Sequence, residues 1–209
     1  MLRVDLSTTA VFLDFDGAVA PRHRRVLVAA AAPGWEAIEE GYECGTVVSR
    51  ERLLDEWDLV EGDAVDLADA VEAVPVDSDF PGFARRLRAA GAQVTVVSDG
   101  FGITVEDVCG RLDVGVLTNA VDAEGVLRFP HESRCCPCTS CGVCKQAPIK
   151  DARRARRTTV LVSDAIGDRK AALLTDVLFA KGPLAAWCDR VGVAYLPFTQ
   201  LSDVEDALA

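Results

Sequence analysis

The stretch Val11–Ala20, with the sequence VFLDFDGAVA, decides the fold class of this chain. It opens with a short apolar run, which is typical of a strand buried inside a sheet, and the run ends at Asp14, Asp16 and Gly17. In a parallel sheet, ligand sites lie at the carboxyl ends of the strands. Two carboxylates spaced by one residue could hold a hard cation there, or one could attack phosphorus while the other moves a proton. The same residues would also suit a solvated turn after a strand.

Further apolar runs predict strands, and amphipathic segments between them predict helices. Continuous apolarity, rather than alternation, marks strands buried on both faces, as in a parallel sheet. The helix predicted over Pro81–Ala90 has proline in its first turn and Gly91 after its end, and Asn119–Phe129 has the pattern of a hairpin. Alternating strands and helices indicate an α/β fold with a Rossmann-like, doubly wound and mostly parallel sheet. The other predicted strands are Gln93–Val97, Thr158–Val162, Val177–Ala180 and Val193–Leu196.

A segment without any convincing strand follows the first motif. Residues 21–79 are therefore predicted to form a small helical insert between the first strand and the rest of the sheet. One of its helices is expected over Arg50–Trp57, with Ser49 as the N-cap. The core domain would then consist of residues 1–20 and 80–209.

The composition limits the function classes. The chain has 209 residues, half of them hydrophobic, which suits one domain with a modest insert. Its 33 acidic and 22 basic residues give a net charge of −11, which argues against a nucleic-acid or anionic-membrane surface. No apolar run approaches the roughly 18 to 20 residues of a membrane helix, and the apolar stretch Ala10–Leu13 is too short for an export signal. We therefore expect a cytoplasmic protein without a membrane partner, whose cysteines are reduced thiols or metal ligands.

A second predicted strand ends in a glycine-rich turn, in the sequence TVVSDGFG. Ser98 follows the apolar run and is followed by Asp99 and Gly100. A hydroxyl together with the backbone N–H groups of such a turn makes a cradle for an anion. A plain turn between a strand and a helix would have a similar sequence.

A third strand end, in VLVSDAIGDRKAA, adds two more acids to the same edge of the sheet, Asp164 and Asp168. Carboxylates crowded at one edge repel each other without a cation, so together with the first motif they predict a divalent metal. A transferring phosphoryl group also needs a positive partner. Lys145 and Lys150, which lie between the second and third motifs, are the candidates.

The order of these motifs resembles that of the haloacid dehalogenase superfamily of phosphotransferases: DxDG, a serine after an apolar strand, a lysine, and a strand followed by D-x-x-x-D. The resemblance spans Val11–Lys181. It implies a Mg²⁺-dependent phosphomonoesterase that works through an aspartyl-phosphate, with a type-one helical cap that closes over the site. By motif position it implies catalytic roles for Asp14 and Asp16. It further implies phosphate binding by Ser98, Asp99, Gly100 and Lys145, and Mg²⁺ binding by Asp14, Asp16, Asp164 and Asp168.

Within this superfamily, the chain resembles the methionine-salvage phosphatases in four stretches: PGWEAIEEG in the insert, VVSDGF, CGVCK and LLTDVLFAK. In those enzymes the phosphate-binding lysine follows a cysteine-rich loop, which favours Lys145 over Lys150. The resemblance implies a methylthio-ketoenol phosphate as the substrate. Phosphoserine or another small phosphorylated metabolite is the first alternative, and a catalytically weak paralogue that senses a phospho-ligand is the second.

Three positions depart from the superfamily pattern. Ala18 stands where threonine usually follows DxDG. Ser163 stands where glycine usually precedes the first aspartate of the last motif, and Gly167 stands where serine or threonine usually precedes its second aspartate. Because the aspartates are retained, we expect the chemistry to be retained, and the missing hydroxyls bear on its rate and on the native substrate.

A cysteine-rich run, CCPCTSCGVCK, precedes the third motif. Its spacing suits metal ligands, and four thiolates suffice for a structural Zn²⁺. The candidate ligands are Cys135, Cys138, Cys141 and Cys144. Such sites are normally closed by two CxxC pairs from different elements, and the run lacks a second pair elsewhere in the chain, so reduced thiols are the preferred interpretation.

Overall fold

A seven-stranded sheet forms the centre of the molecule. The computed structural model describes residues 4–20, 28–29, 32–60, 76–110, 112–133 and 140–208. The strands are β1 (Thr9–Leu13), β2 (Gln93–Phe101), β3 (Gly115–Val121), β4 (Leu127–Arg128), β5 (Thr158–Ser163), β6 (Val177–Ala180) and β7 (Leu196–Pro197). Their order is β4-β3-β2-β1-β5-β6-β7. Every neighbouring pair is parallel except β3 with β4, so the predicted mostly parallel sheet is confirmed.

Helices connect the strands, and residues 28–29 are helical as well. Short 3₁₀ helices occupy Leu6–Thr8 and Ile166–Asp168. Within the described part of the chain, no helix is long and apolar enough to cross a membrane, and the cytoplasmic location stays a prediction. The α-helices are α1 (Trp35–Glu43), α2 (Ser49–Asp58), α3 (Phe80–Ala89), α4 (Gly102–Cys109), α5 (Gln146–Arg154), α6 (Arg169–Ala172), α7 (Gly182–Val191) and α8 (Leu201–Leu208).

The sheet is buried on both faces, which is why its strands are continuously apolar. In β1, Val11 and Leu13 belong to the hydrophobic cluster under α3, α4 and α8, whereas Ala10 and Phe12 belong to the cluster under α5, α6 and α7. Helices on both faces of a mostly parallel sheet make the doubly wound α/β architecture that the sequence predicts.

Three predicted strands differ from the structure by three or more residues at one end. β2 continues through the predicted turn as far as Phe101, with an irregular register between Val97 and Phe101. β3 begins at Gly115, ahead of the predicted hairpin, because its first half pairs parallel with β2. β7 begins later than predicted, because the N–H of Val193 still donates to the Cys188 carbonyl and so closes the end of α7.

The described part of the insert contains helices α1 and α2, and it packs on the C-terminal end of β2 and on the hairpin formed by β3 and β4. Leu53 of α2 shares a buried cluster with Phe101 and Leu127. The ring of Trp57 packs at a tilt of 45° against that of Phe101, with ring centroids 5.2 Å apart, and its indole N–H donates to the Gly125 carbonyl at 2.9 Å. Residues 21–27, 30–31 and 61–75 of the insert lie outside the described residues.

The predicted N-cap of the second insert helix is wrong. α2 begins at Ser49 itself, and the capping position is taken by Val48, which makes no side-chain capping bond. The Ser49 hydroxyl donates to the carboxylate of Asp99 instead. The Ser49 hydroxyl is thus used for a contact between the insert and β2, and not for capping the helix that it begins.

Candidate active site

A cavity of about 480 Å³ lies at the carboxyl ends of β1, β2 and β5. The structure brings all eight predicted site residues to its wall: seven follow or end strands that run in parallel and finish at the same edge, and Lys145 comes from the loop before α5. These residues are Asp14, Asp16, Ser98, Asp99, Gly100, Lys145, Asp164 and Asp168. The insert contributes a second wall, which is made by Glu39, Tyr42, Glu43, Ser49 and Arg52.

The DxDG turn continues directly from β1. The N–H of Asp14 donates to the Val162 carbonyl at 2.9 Å, so the hydrogen-bond ladder extends one residue past the strand and fixes a carboxylate that is 4% exposed. Gly17 has a φ of +83°, and a Cβ there would lie 2.1 Å from the nearest oxygen of Asp164. Glycine is therefore required both by the turn and by the approach of the Asp164 carboxylate.

The Ser98 turn is an irregularity inside β2 rather than a loop after it. Ser98 is 1% exposed, and its Oγ accepts the N–H of Gly100 at 3.1 Å. The hydroxyl proton is thereby left available to a group in the cavity. The side-chain amide of Asn119 donates to the Gly100 carbonyl at 3.0 Å and so holds the turn from the neighbouring strand.

Asp99 joins three parts of the molecule. Its Oδ1 accepts the N–H of Val143 at 2.8 Å, and its Oδ2 accepts the Ser49 hydroxyl. Val143 lies two residues before Lys145 in the cysteine-rich loop, and Ser49 opens α2 in the insert. The Asp99 carboxylate is thus engaged in binding the insert and the loop to β2.

Lys145 is a buried cation in the cavity wall that contacts two site carboxylates. Its Nζ lies 2.7 Å from Asp14 Oδ1 and 2.7 Å from Asp168 Oδ2, and its side chain is 9% exposed. Burial lowers the pKa of this ammonium, but the charges of Asp14 and Asp168 outweigh burial, so the pKa is raised and the group is cationic. Lys150 lies within α5 and is not part of the cavity wall. The preference for Lys145 over Lys150 as the site lysine agrees with this placement.

The aspartates of the cavity repel one another. Burial raises the pKa of Asp14 well above its usual range; Lys145 opposes this shift, and the charge of Asp168 adds to it. Burial likewise raises the pKa of Asp164, with Lys181 opposing the shift and Asp16 adding to it. A divalent cation among these carboxylates would relieve the repulsion.

The donor set suits Mg²⁺. In the described residues, no three His, Cys, Asp or Glu side chains are grouped closely enough to form a complete metal cage. Mg²⁺ characteristically takes one or two carboxylates and fills the remaining positions with water and substrate phosphate. Asp14 and Asp164 offer such a pair, since each lies at the end of one of two neighbouring strands and the charge of Asp164 raises the pKa of Asp14.

The predicted zinc ligands are only partly described. Cys135 and Cys138 lie outside the described residues, whereas Cys141 and Cys144 lie in the cavity wall. Nothing in the described part of the cysteine-rich run points to a structural zinc site.

Asn119 is a site residue that the sequence interpretation missed. It is completely buried in β3, and a side chain at Gly142 of the cysteine-rich loop would clash with it, since a Cβ there would lie 2.7 Å from Asn119 Oδ1. Asn119 therefore shapes both the Ser98 turn and the loop that carries Lys145. The available signal was a polar pair, Thr118 and Asn119, in the middle of an apolar run.

Comparison with known proteins gives relatives over almost the whole chain. No protein-family model matches. The 2-hydroxy-3-keto-5-methylthiopentenyl-1-phosphate phosphatase of Exiguobacterium sp. strain AT1b is 22% identical over 206 residues, which cover 94% of this chain and 95% of that protein. The phosphatase of the same name from Bacillus velezensis is 22% identical over 210 residues, which cover 96% of this chain and 90% of that protein.

Solved structures with the same fold include phosphoserine phosphatases. A phospho-aspartyl intermediate analogue of phosphoserine phosphatase superposes with a TM-score of 0.72 at 15% identity, over 97% of this chain and 100% of that chain. A substrate-bound phosphoserine phosphatase gives a TM-score of 0.73 at 16% identity, over 97% of this chain and 99% of the other. The resemblance to the phosphatases of the haloacid dehalogenase superfamily, which the motifs predict, is therefore confirmed both by full-length relatives and by the fold.

Proposed function

We propose that this chain is a Mg²⁺-dependent phosphomonoesterase that forms an aspartyl-phosphate on Asp14. One observation carries the proposal: the ammonium of Lys145 is held between Asp14 and Asp168 in a cavity lined by carboxylates and by the Ser98 turn. The pocket is acidic overall, yet it holds the Lys145 ammonium against a buried carboxylate. Such a pocket suits a phosphoryl group bound together with a metal ion better than it suits an anion bound alone.

The residues divide the chemistry among them. Asp14 attacks phosphorus in line, and the leaving alkoxide takes a proton from Asp16. Asp16 then removes a proton from the water that hydrolyses the aspartyl-phosphate. Ser98 and Lys145 hold the phosphoryl oxygens during both steps.

Mg²⁺ would be held by carboxylates at the ends of β1 and β5 and would neutralise charge on the phosphoryl oxygens. By the superfamily resemblance these ligands are Asp14, the backbone carbonyl of Asp16, and Asp164. Asp168, also predicted as a ligand, shares its Oδ2 between Lys145 and Ser163. Any contribution of Asp168 to the metal would therefore come through its other oxygen or through a water.

The insert, residues 21–79, would act as the cap that covers the cavity, and residues 1–20 and 80–209 would form the catalytic core. The described cap helices wall the cavity opposite the DxDG turn, and a cover of this kind excludes water during phosphoryl transfer. A cavity of about 480 Å³ suits a small metabolite.

For the substrate, the names of the full-length relatives favour 2-hydroxy-3-keto-5-methylthiopentenyl-1-phosphate. Phosphoserine is the second candidate, because a buried arginine lines the cap side of the cavity. Nη1 of Arg52 lies 3.7 Å from Glu39 Oε2, which is longer than a hydrogen bond, and a substrate carboxylate would pair with the guanidinium where it lines the cavity.

A phosphatase screen tests the proposal. The protein is incubated with p-nitrophenyl phosphate and a panel of phosphorylated metabolites, with Mg²⁺ or with EDTA. We expect turnover that EDTA stops and Mg²⁺ restores, and that Asp14→Asn abolishes without loss of the fold. If folded wild-type protein with Mg²⁺ hydrolyses no member of the panel but binds one of them, the chain is a sensor of a phospho-ligand and the catalytic proposal is wrong.

A further inference from the structure

The last residue of β5 places a buried hydroxyl next to two carboxylates of the cavity wall. Ser163 is completely buried, and its Oγ donates to Asp168 Oδ2 at 2.6 Å. The same Oγ accepts the N–H of Ala165 at 3.1 Å, which fixes its direction, and it lies 3.4 Å from Asp14 Oδ2. The hydroxyl carries one proton, so the shorter contact to Asp168 takes it and Asp14 is a second acceptor within reach.

These contacts close a ring. Lys145 donates to the same oxygen of Asp168 that receives the Ser163 proton, and it also pairs with Asp14 at 2.7 Å. We call Asp14, Lys145, Asp168 and Ser163 the acid–lysine ring. Two donors on Asp168 Oδ2 hold that carboxylate in one orientation, and the carboxylate in turn holds the Lys145 ammonium on Asp14.

The position that usually carries a hydroxyl in this motif has none in this chain. Gly167 lies in the 3₁₀ turn Ile166–Asp168, and a Cβ there would lie 3.3 Å from the Tyr42 hydroxyl of α1. That separation is tighter than ordinary van der Waals contact, so a side chain at 167 would press on the cap. The space beside the turn is thus taken by Tyr42.

We propose that Ser163 is a positioning residue that supplies, from the first position of the last motif, the hydroxyl missing at Gly167. It orients Asp168, and through Asp168 it keeps Lys145 against Asp14. With the hydroxyl at position 163 and glycine at position 167, the surface of the turn is open to Tyr42, and the cap can approach the core. This inference rests on the proposed function, because it assigns a task within the same site.

Three variants test the role of the hydroxyl. Ser163→Ala removes it, and Ser163→Gly restores the residue usual in the motif, again without a hydroxyl. Thr159→Val is the matched control, since Thr159 is a completely buried hydroxyl residue on the same strand that bonds Asp176 at 2.7 Å, and Asp176 is not part of the acid–lysine ring. A hydrogen bond to a charged group is worth about 1.5–3 kcal/mol, so both Ser163 variants should lower kcat by about 10- to 10²-fold. KM should change little, and Thr159→Val should leave both constants unchanged.

Restoring the hydroxyl at the other position is the sharper test. In Ser163→Ala/Gly167→Ser the new side chain meets Tyr42, and adding Tyr42→Phe removes the crowding oxygen. We expect the triple variant to recover most of the lost kcat and the double variant to recover less. Loss of kcat in Ser163→Ala with no recovery in a folded triple variant would overturn the exchange of positions.

A crystal structure of metal-free Ser163→Ala gives a readout that does not depend on activity. We expect Asp168 to rotate and the Lys145 Nζ to move beyond hydrogen-bond distance of Asp14 Oδ1, whereas Thr159→Val keeps both contacts. An intact Asp168–Lys145–Asp14 arrangement in Ser163→Ala would refute the positioning role. If wild-type protein hydrolyses no phosphate monoester, the proposed function fails, while this structural arm still decides whether Ser163 orders the ring.

Discussion

Lys145→Ala would remove the ammonium that lies between two buried carboxylates. Its Nζ is 2.7 Å from both Asp14 Oδ1 and Asp168 Oδ2, and the lysine and its two partners are 9%, 5% and 5% exposed, so water and salt screen these contacts weakly. A cation beside the attacking carboxylate stabilises the charge that develops on the phosphoryl oxygens. Loss of one such donor should lower kcat/KM by about 10²- to 10³-fold.

The same change has a cost in stability that the assay must take into account. Breaking a buried ion pair by removing one partner typically costs about 3–5 kcal/mol, because an uncompensated charge is left inside. For a chain of this size that corresponds to a fall in Tm of roughly 6–20 °C. Circular dichroism melts should therefore accompany the kinetics, and rates should be taken at a temperature where the variant is fully folded.

Steady-state hydrolysis of p-nitrophenyl phosphate with saturating Mg²⁺ is the assay, and Lys150→Ala is the matched control. Lys150 lies on α5, away from the cavity wall, so its removal should change kcat/KM by less than about threefold. A folded Lys145→Ala variant with near wild-type kcat/KM would refute the electrostatic reasoning. So would the loss appearing in Lys150→Ala instead.

Three further predictions follow from the geometry. Asp164→Ala should raise the Mg²⁺ concentration for half-maximal rate by at least about 10-fold, since even outer-shell partners of metal ligands are worth about 10- to 100-fold in affinity; an unchanged Mg²⁺ dependence would contradict its role as a ligand. Asp99→Ala should lower the free energy of unfolding by about 1.5–3 kcal/mol for each lost bond and expose the cap to limited proteolysis, with Ser49→Ala showing only the cap effect; equal proteolysis of the wild type and both variants would contradict the role of the Ser49–Asp99 bond in holding the cap to β2. Burial raises the pKa of the Cys109 thiol to about 12, so at pH 8 it stays protonated and unreactive; iodoacetamide should label exposed Cys44 in the native protein and Cys109 only after unfolding, and native labelling of Cys109 would be the contrary result.

The fold was predictable because its signals are local. A strand buried on both faces must be apolar throughout, and β1, β5 and β6 lie within two residues of their predicted ranges. The strand ends that were mispredicted depend on neighbouring elements. β7 begins late because Val193 still belongs to the C-terminal cap of α7, and β3 begins early because it pairs with β2. Such ends are decided by tertiary contacts that a single run of residues does not encode.

The sequence predicted that the candidate site residues lie together, but it did not predict the contacts that join them. All eight candidates line one cavity: strand ends in a parallel sheet converge, and the loop before α5 carries Lys145 to the same edge. The partners that join them across the chain were not visible from the sequence. The bond from Ser49 to Asp99 spans 50 residues, and the one from Asn119 to Gly100 links two strands. Ser163 stood out only as a departure from a motif, and the structure supplies its partners.

The central claim is that Asp14 carries the phosphoryl group during turnover, and reductive trapping tests it most directly. The enzyme is quenched in acid during steady hydrolysis, the protein is treated with borohydride, which reduces an aspartyl-phosphate to homoserine, and tandem mass spectrometry locates the product. We predict homoserine at position 14 in the wild-type protein with substrate and Mg²⁺, and none without substrate or in Asp14→Asn. Trapping at another residue, or no trapped product in an enzyme that is turning over, would contradict the mechanism.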